Sequence, residues 1–329
     1  MSELSLRDVF AARRRIHGVA LRTPQVESPA LSRRLGAKLF VKLECAQRTG
    51  AFKVRGATNR IMSFTPEQRQ AGVITFSTGN HGKAVAYVCG RLGIKAVVCV
   101  SDHVPSYRVE RIREFGAEVM VKGNSQDEAE REYYRVVEER GLQPVVPFDD
   151  PYVIAGQGTI GLEMIEDEPE LDTVLVQLSG GGLGAGVALA LKEINPSIRL
   201  IGVSIERSPA LLESIKAGRP VEVEEQATLA DSLLGGIGAE NAYTLPLVSR
   251  YFDDHIVVDE AEIALGMSYM LREHSLVVEG AGSAAIGALL HRDWNDLGKK
   301  IGAIASGSAV DLPLYLETMS RLQGRDRDG

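Results

Sequence analysis

Residues 73–82 read VITFSTGNHG, an apolar run followed by polar residues and glycine and then by the expected start of a helix. This strand-then-helix unit occurs twice more. AVVCV (96–100) and EVMV (118–121) are also followed by segments expected to be helical, and the segment after EVMV spans 125–140. Short apolar strands that alternate with helices are typical of a parallel sheet wrapped by helices. We therefore predict a small α/β domain over residues 72–149.

A second series of strands and helices flanks this unit on both sides. At 329 residues the chain exceeds the size at which single cores usually stop growing, so a second domain is expected. We predict a large domain formed by residues 1–71 and 150–329, with one helix running from after Arg55 to near Ser63, where Pro66 breaks the pattern. Its strands are expected at KLFVKLE (38–44), VLVQL (174–178), RLIGVSI (199–205), HIVV (255–258) and IGAIAS (301–306).

The composition is that of a globular enzyme, with 44% hydrophobic and 25% charged residues. The net charge of −7 argues against a nucleic-acid partner, whose phosphates attract basic proteins. The N-terminus carries acids and arginines where a signal peptide would need an apolar core, and no apolar run approaches the length of a membrane span. We expect a cytoplasmic protein without a membrane partner, whose three cysteines are reduced and structural.

The stretch TGAFKVRGA, residues 49–57, places one lysine between a phenylalanine and a Val-Arg-Gly run. Gly50 and Gly56 bracket Lys53, so the backbone can turn sharply or approach a ligand closely there. An enclosed lysine favours its neutral amine, which attacks carbonyl groups to form a Schiff base. The alternative is an ordinary solvated surface charge.

The stretch SGGGLGAG, residues 179–186, follows an apolar strand and opens a helix. Backbone N–H groups without side chains, at the positive end of a helix dipole, can hold a phosphate. A tight turn without a ligand is the simpler interpretation. Gly180, Gly182 and Ala185 also satisfy a dinucleotide pattern, and Glu206 ends the next strand where a ribose-binding acid would stand. An NAD-dependent dehydrogenase therefore remains an alternative at this point.

STGNHG, residues 77–82, also leads from a strand into a helix, and its polar groups could hold a carboxylate. Helix capping explains the same residue types equally well, and His81 could be a base or a structural residue. Farther along, IASGSAVD places the neutral hydroxyl of Ser306 at the end of a strand. Glu279 and Asp231 are either buried hydrogen-bond partners or plain loop acids.

Taken together, TGAFKVRGA, STGNHG, SGGGLGAG and SGSAVD, in this order and spacing, resemble the serine/threonine dehydratase family of fold-type II pyridoxal-phosphate enzymes. The resemblance spans nearly the whole chain and includes VIAGQGTIGLE (153–163). Stretches such as ADSLLGGIG and VVEGAGS look most similar to the hydroxyectoine-utilisation dehydratase branch. The resemblance to the family implies a tryptophan synthase β-like fold of two doubly wound α/β domains, with the active site in the cleft between them. It also implies assembly as a homodimer or higher homo-oligomer.

The resemblance also implies roles for individual residues. Lys53 would be the catalytic lysine that binds pyridoxal 5'-phosphate, and Thr78 would stand where serine racemases carry a proton-exchanging serine. The implied cofactor-binding residues are Phe52, Lys53, Asn80, Gly180, Gly181, Gly182, Leu183 and Ser306, with Asn80 at the ring hydroxyl and Ser306 at the pyridine nitrogen. The implied substrate-binding residues, around the carboxylate, are Ser77, Thr78, Asn80 and His81.

The implied activity is a pyridoxal-phosphate-dependent ammonia-lyase reaction, which eliminates water from a small β-hydroxy amino acid to give a 2-oxo acid and ammonia. The substrate would be of serine or threonine type, or an intermediate derived from hydroxyectoine. A racemase, an NAD-dependent dehydrogenase and a non-catalytic sensor are the alternatives. Glu206 matches the family's cation site, but Leu212 stands where a carboxylate is expected, so we predict no required metal.

Overall fold

Ten strands form two separate sheets in the computed structural model, which describes residues 4–77, 79–100, 102, 104, 106–122 and 126–325. The larger sheet has the order β1-β2-β10-β7-β8-β9, and the smaller sheet has the order β5-β4-β3-β6. The strands are β1 (Gln25–Glu27), β2 (Lys38–Lys42), β3 (Val73–Phe76), β4 (Ala96–Val100), β5 (Glu118–Val121), β6 (Gln143–Pro144), β7 (Thr173–Gln177), β8 (Arg199–Ile205), β9 (Asp254–Val258) and β10 (Lys300–Ile304).

Helices connect these strands and cover the sheets. They are α1 (Leu6–Ile16), α2 (Pro29–Leu35), α3 (Lys53–Ser63), α4 (Pro66–Ala71), α5 (Asn80–Leu92), α6 (Ser106–Glu114), α7 (Gln126–Arg140), α8 (Pro151–Asp167), α9 (Gly182–Ile194), α10 (Ala210–Ala217), α11 (Thr244–Tyr251), α12 (Glu260–His274), α13 (Gly280–His291) and α14 (Leu312–Arg325). Within the described part of the chain, every helix is too short or too polar to cross a bilayer.

Parallel pairing prevails in both sheets, as the alternation of strands and helices predicts. Strand β1 alone pairs antiparallel, with β2, among the strands of the described residues. The strands of the smaller sheet all come from residues 73–144, whereas those of the larger sheet come from residues 25–42 and 173–304. The predicted α/β class, with two such units, is confirmed.

Several predicted helix boundaries shift in the structure. Helix α3 begins at Lys53 rather than after Arg55, because the carbonyl of Phe52 already accepts a bond from the Arg55 N–H at 3.0 Å. Pro66 does not merely end a helix. It is the first residue of α4, where its missing N–H costs nothing, and Thr65 caps that helix. The sequence analysis did not predict α11 or α14, and the predicted start of α7 at Ser125 lies outside the described residues.

A buried ionic cluster ties the start of α3 to α8 and to β2. Arg55 is fully buried and donates to both oxygens of Glu44 at 2.8 Å, and to both oxygens of Glu163 at 2.6 and 2.8 Å. Lys42, also fully buried, lies 2.8 Å from Glu163 and donates to the carbonyl of Thr23 at 2.6 Å. Since Arg55 is two residues from Lys53, this cluster anchors the turn that carries the lysine.

Candidate active site

Lys53 is the first residue of α3, which precedes β3 of the smaller sheet. Its Nζ donates to the carbonyl of Pro147 at 2.9 Å and lies 5.3 Å from the centre of the Phe52 ring. The N–H of Phe52 donates to the carbonyl of Ser306 at 3.1 Å, which holds this turn against the end of β10. Burial lowers the pKa of Lys53 to about 8, against the opposing effect of the Glu279 charge. At pH 7 roughly one molecule in ten then carries a neutral amine.

The glycine-rich turn joins β7 to α9 and has no space for side chains on its inner face. A Cβ on Gly180 would lie 2.6 Å from Phe148 Cγ, and one on Gly181 would lie 2.8 Å from Thr244 Cβ. Gly181 also has a φ of 86°, which favours glycine. The N–H groups at the start of α9 lack helical partners, so they are free to donate to an anion. Leu183 packs into the core, so only its backbone N–H can contribute there.

The segment 147–149 connects Lys53 with the glycine turn. Its first residue supplies the carbonyl that Lys53 contacts, and Phe148 packs against Gly180. The Asp149 carboxylate accepts from the backbone N–H groups of residues 242–244 at 2.7 to 2.9 Å. One of these residues is Thr244, which leaves no space for a side chain on Gly181. No sequence signal marks this segment as part of the site, because a Pro-Phe-Asp-Asp stretch before a helix looks like an ordinary cap.

Asn80 begins α5 and contacts Glu279, which precedes α13. Asn80 Nδ2 donates to Glu279 at 2.9 Å (Oε1) and 3.2 Å (Oε2), while the backbone N–H of Ala309 donates to Oε2 at 2.9 Å. Asn80 Oδ1 is buried and has no hydrogen-bond partner among the described residues. Glu279 is therefore a buried hydrogen-bond partner and not a loop acid, which decides between the two interpretations of the sequence.

His81 follows Asn80 and is only 2% exposed. Its Nε2 lies 2.9 Å from the carbonyl of Val145, which can only accept, so the proton is assigned to Nε2. Burial, and to a smaller extent the Lys53 charge, lower the pKa of His81 to about 3, so the ring is neutral. Nδ1 then offers a lone pair, which repels a carboxylate. The predicted contact between the His81 ring and a substrate carboxylate stays a prediction that this tautomer does not favour.

Two further predicted site residues are serines that follow strands. Ser306 follows β10 and is 4% exposed, and Ser77 follows β3, where its Oγ accepts from the N–H of Gly79 at 3.4 Å. Thr78 lies outside the described residues. Asn80 follows β3 of the smaller sheet, and Glu279 lies between β9 and β10 of the larger one, so their hydrogen bond brings segments of both sheets together.

A cavity of about 170 Å³ opens beside Glu279. At this cavity, Arg108 of α6 forms an ion pair with Asp231, which lies between β8 and β9 of the larger sheet; the distance from Arg108 Nη2 to Asp231 Oδ2 is 2.6 Å. Asp231 is thereby also assigned a partner. Among the described residues, no group of three or more His, Cys, Asp or Glu side chains is placed to hold a metal ion.

A family model described as pyridoxal-phosphate dependent enzyme matches residues 16–307. The chain belongs to this family. A putative threonine dehydratase of Sinorhizobium fredii is 45% identical to the enzyme over 320 residues, which cover 97% of this chain and 96% of the relative. An L-threonine ammonia-lyase of Thermotoga maritima is 38% identical over 94% of this chain and 76% of the relative.

Two solved structures resemble the enzyme over nearly its full length. Maize serine racemase has a TM-score of 0.91 and 35% identity, and covers 99% of this chain and 100% of its own. Threonine deaminase isoform 2 of Solanum lycopersicum has a TM-score of 0.89 and 31% identity, over 96% of this chain and 91% of its own. The predicted serine/threonine dehydratase family, the fold type, the cofactor and the lyase class are thereby confirmed. The glycine turn accordingly needs no dinucleotide, and the dehydrogenase alternative loses its support.

The residues present fit pyridoxal phosphate. The side-chain-free turn at Gly180 and Gly181 suits its phosphate, and the lysine with a lowered pKa suits its aldehyde. The buried oxygen of Asn80 has no partner among the described residues, so the Asn80 side chain has hydrogen-bonding capacity left for a bound polar group beside α5.

The phosphate turn yields a direct prediction. Gly180→Ala should weaken cofactor binding roughly tenfold to hundredfold, because the added methyl group displaces Phe148 or the turn and so misplaces one or two N–H donors. Fluorescence titration of the cofactor-free protein with pyridoxal phosphate measures this. Gly236→Ala is the matched control, since a Cβ there meets nothing within 4 Å. Equal dissociation constants for both variants would show that the turn does not bind the phosphate.

Proposed function

We propose that the enzyme eliminates water from a small β-hydroxy amino acid of serine or threonine type, and that the released enamine product then reacts with water to give a 2-oxo acid and ammonia. The observation that carries this proposal is the setting of the Lys53 amine. It has a pKa of about 8, contacts the carbonyl of Pro147 next to the Phe148 that packs against Gly180, and is influenced by the charge of Glu279, the partner of Asn80. Relatives named threonine dehydratase and threonine ammonia-lyase support the same reaction.

Each part of the site has a role in this proposal. The backbone N–H groups of Gly180, Gly181, Gly182 and Leu183 hold the cofactor phosphate. Phe52 flanks the cofactor and Ser306 faces its pyridine nitrogen with a neutral hydroxyl. Bound pyridoxal phosphate supplies the electron sink that stabilises negative charge at the substrate Cα.

Lys53 acts in two ways. It binds the cofactor covalently in the resting enzyme, and its neutral amine then removes the proton from the substrate Cα as a general base. The polar turn at residues 77–81 positions the substrate carboxylate, with N–H groups at the start of α5 as donors. The lowered pKa of Lys53 favours the neutral form that this role requires.

We also propose the domain division, the assembly and the location of the enzyme. We retain a large domain of residues 1–71 and 150–329, a small domain of residues 72–149, assembly as a homodimer or higher homo-oligomer, and a cytoplasmic location. The division into domains is supported by the origin of the strands in each sheet. A substrate derived from hydroxyectoine is the narrower form of the proposal.

A substrate panel tests the reaction. Purified enzyme loaded with pyridoxal phosphate should release equal amounts of ammonia and 2-oxo acid from L-serine or L-threonine, and 3-hydroxyaspartate and amino acids derived from hydroxyectoine complete the panel. Racemisation is the second candidate, because maize serine racemase resembles the enzyme so closely. Inversion of serine without ammonia would favour it, and cofactor binding without either product would favour a sensor.

A further inference from the structure

We propose that Glu279 is a positioning residue, which holds the amide nitrogen of Asn80 and thereby fixes the hydrogen bond that Asn80 offers to the ring hydroxyl of pyridoxal phosphate. The inference rests on the proposed role of Asn80. It adds a second residue, 199 positions away in the sequence, that decides how Asn80 meets the cofactor.

The contact between the two side chains is buried and specific. Asn80 is 7% exposed and Glu279 is 4% exposed. Both carboxylate oxygens lie within 3.2 Å of Asn80 Nδ2, and Oε2 also accepts from the N–H of Ala309. A Cβ on Gly307 would lie 2.9 Å from the carboxyl carbon of Glu279, so the glycine there lets the carboxylate approach this closely.

The charge of Glu279 determines which end of the amide faces it. An ionised carboxylate only accepts hydrogen bonds, so the amide must present its nitrogen and not its oxygen. The two carboxylate oxygens lie close together, whereas the two N–H bonds of an amide diverge. One N–H therefore points between both oxygens, and the other N–H stays available for the ring oxygen of the cofactor.

Protonation of Glu279 would remove this constraint. A protonated carboxyl group can donate to Asn80 Oδ1, which has no partner among the described residues. The Asn80 amide could then rotate so that its nitrogen and oxygen exchange places, and the cofactor would lose the hydrogen bond donated by the N–H. The hydrogen bond to the cofactor ring is accordingly coupled to the ionisation of Glu279.

Several charged or titratable groups interact with Glu279. Burial and, to a smaller extent, the negative charge of Asp231 raise the pKa of Glu279 to about 7, against the opposing effect of the hydrogen bond from Asn80. Lys83 on α5 lowers it. Lys53 on α3 and Cys45 after β2 also interact electrostatically with the carboxylate.

The absorption band of the bound cofactor provides the test, because it responds to hydrogen bonding at the ring hydroxyl. We expect the band of the wild-type holoenzyme to change in one transition between about pH 5.5 and about pH 8.5. Glu279→Gln, which retains the shape but has no ionisable group, should lose this transition. It should also bind pyridoxal phosphate roughly tenfold more weakly, since its amide no longer selects one orientation of Asn80.

Two further variants leave the Asn80–Glu279 contact in place. Asp231→Asn removes a charge that raises the pKa of Glu279, so the transition should move to lower pH. Lys83→Met removes a charge that lowers it, so the transition should move to higher pH. These opposite shifts decide the question even if Glu279→Gln does not fold.

The outcomes separate this inference from the proposed function. A transition that persists in Glu279→Gln, that is missing from the wild type, or that does not move in the other two variants would overturn the role of Glu279. A wild-type protein that develops no cofactor band at all would instead overturn the proposed function.

Discussion

Replacing Lys53 with alanine is expected to abolish covalent attachment of the cofactor and to reduce turnover at least about a thousandfold. The Lys53 amine contacts the carbonyl of Pro147, next to the Phe148 that packs against the glycine turn. After borohydride reduction, mass spectrometry should find pyridoxal phosphate on the peptide that contains residue 53 in the wild type. The variant should show neither this label nor the near-visible band.

Lys83 is the matched control for this experiment. Burial lowers its pKa as well, and its charge also interacts with Glu279, yet it lies on α5 and not on the turn that begins α3. Lys83→Ala should keep the label on residue 53. If Lys53→Ala were still labelled, or if Lys83→Ala lost the label, the assignment of the cofactor to Lys53 would be wrong.

Replacing Arg55 with alanine is expected to lower the free energy of unfolding by about 3–5 kcal/mol at neutral pH. The side chain is fully buried and bonds to two carboxylates at once, so its removal leaves Glu44 and Glu163 buried without their shared cation. Guanidinium chloride unfolding followed by circular dichroism measures the loss. An unchanged midpoint would contradict this account of the cluster.

The loss should depend on pH in a defined direction. Burial would raise the pKa of Glu163, but the hydrogen bond and charge of Arg55 outweigh burial, so the pKa lies below its usual value. A depressed carboxyl pKa stabilises the fold above the unfolded-state pKa of about 4.5, and this contribution disappears as pH falls. The difference between wild type and Arg55→Ala should therefore shrink below about pH 4.5.

Arg55→Lys separates charge from geometry. A lysine retains the positive charge but cannot bond to two carboxylates with paired N–H groups, so an intermediate loss of stability is expected. A loss equal to that of Arg55→Ala would mean that the paired geometry alone matters. A stability equal to that of the wild type would mean that charge alone suffices.

The elements that carry Lys53 and the glycine turn are held in place by buried contacts. Lys53 begins a helix that the buried Arg55 cluster anchors, and the glycine turn is limited by Phe148 and Thr244. The groups that must hold the cofactor therefore lie on well-packed elements. The Arg108–Asp231 ion pair at the cavity beside Glu279, in contrast, is partly exposed, so it contributes little to the stability of the core.

The sequence by itself determined the α/β class, the cofactor family and the position of the motifs. Apolar strands and the polar or glycine residues that follow them are local signals, and the carboxyl ends of parallel strands meet at the same edge of a sheet. VITF before STGNHG and VLVQL before SGGGLGAG therefore predicted both an element and a site. Helix starts were less certain, since the turn before α3 is held by a bond from the Phe52 N–H to the carbonyl of Ser306, far along the chain.

Only the tertiary structure decided which charged groups meet. Nothing local distinguishes Glu279 from a loop acid or Arg55 from a surface charge, because their partners Asn80 and Glu163 lie 199 and 108 residues away in sequence. Protonation and hydrogen-bond direction follow from those distant contacts. The physical reason is that an ionisable side chain takes its pKa from the charges and the solvent around it, and folding assembles these surroundings from remote parts of the chain.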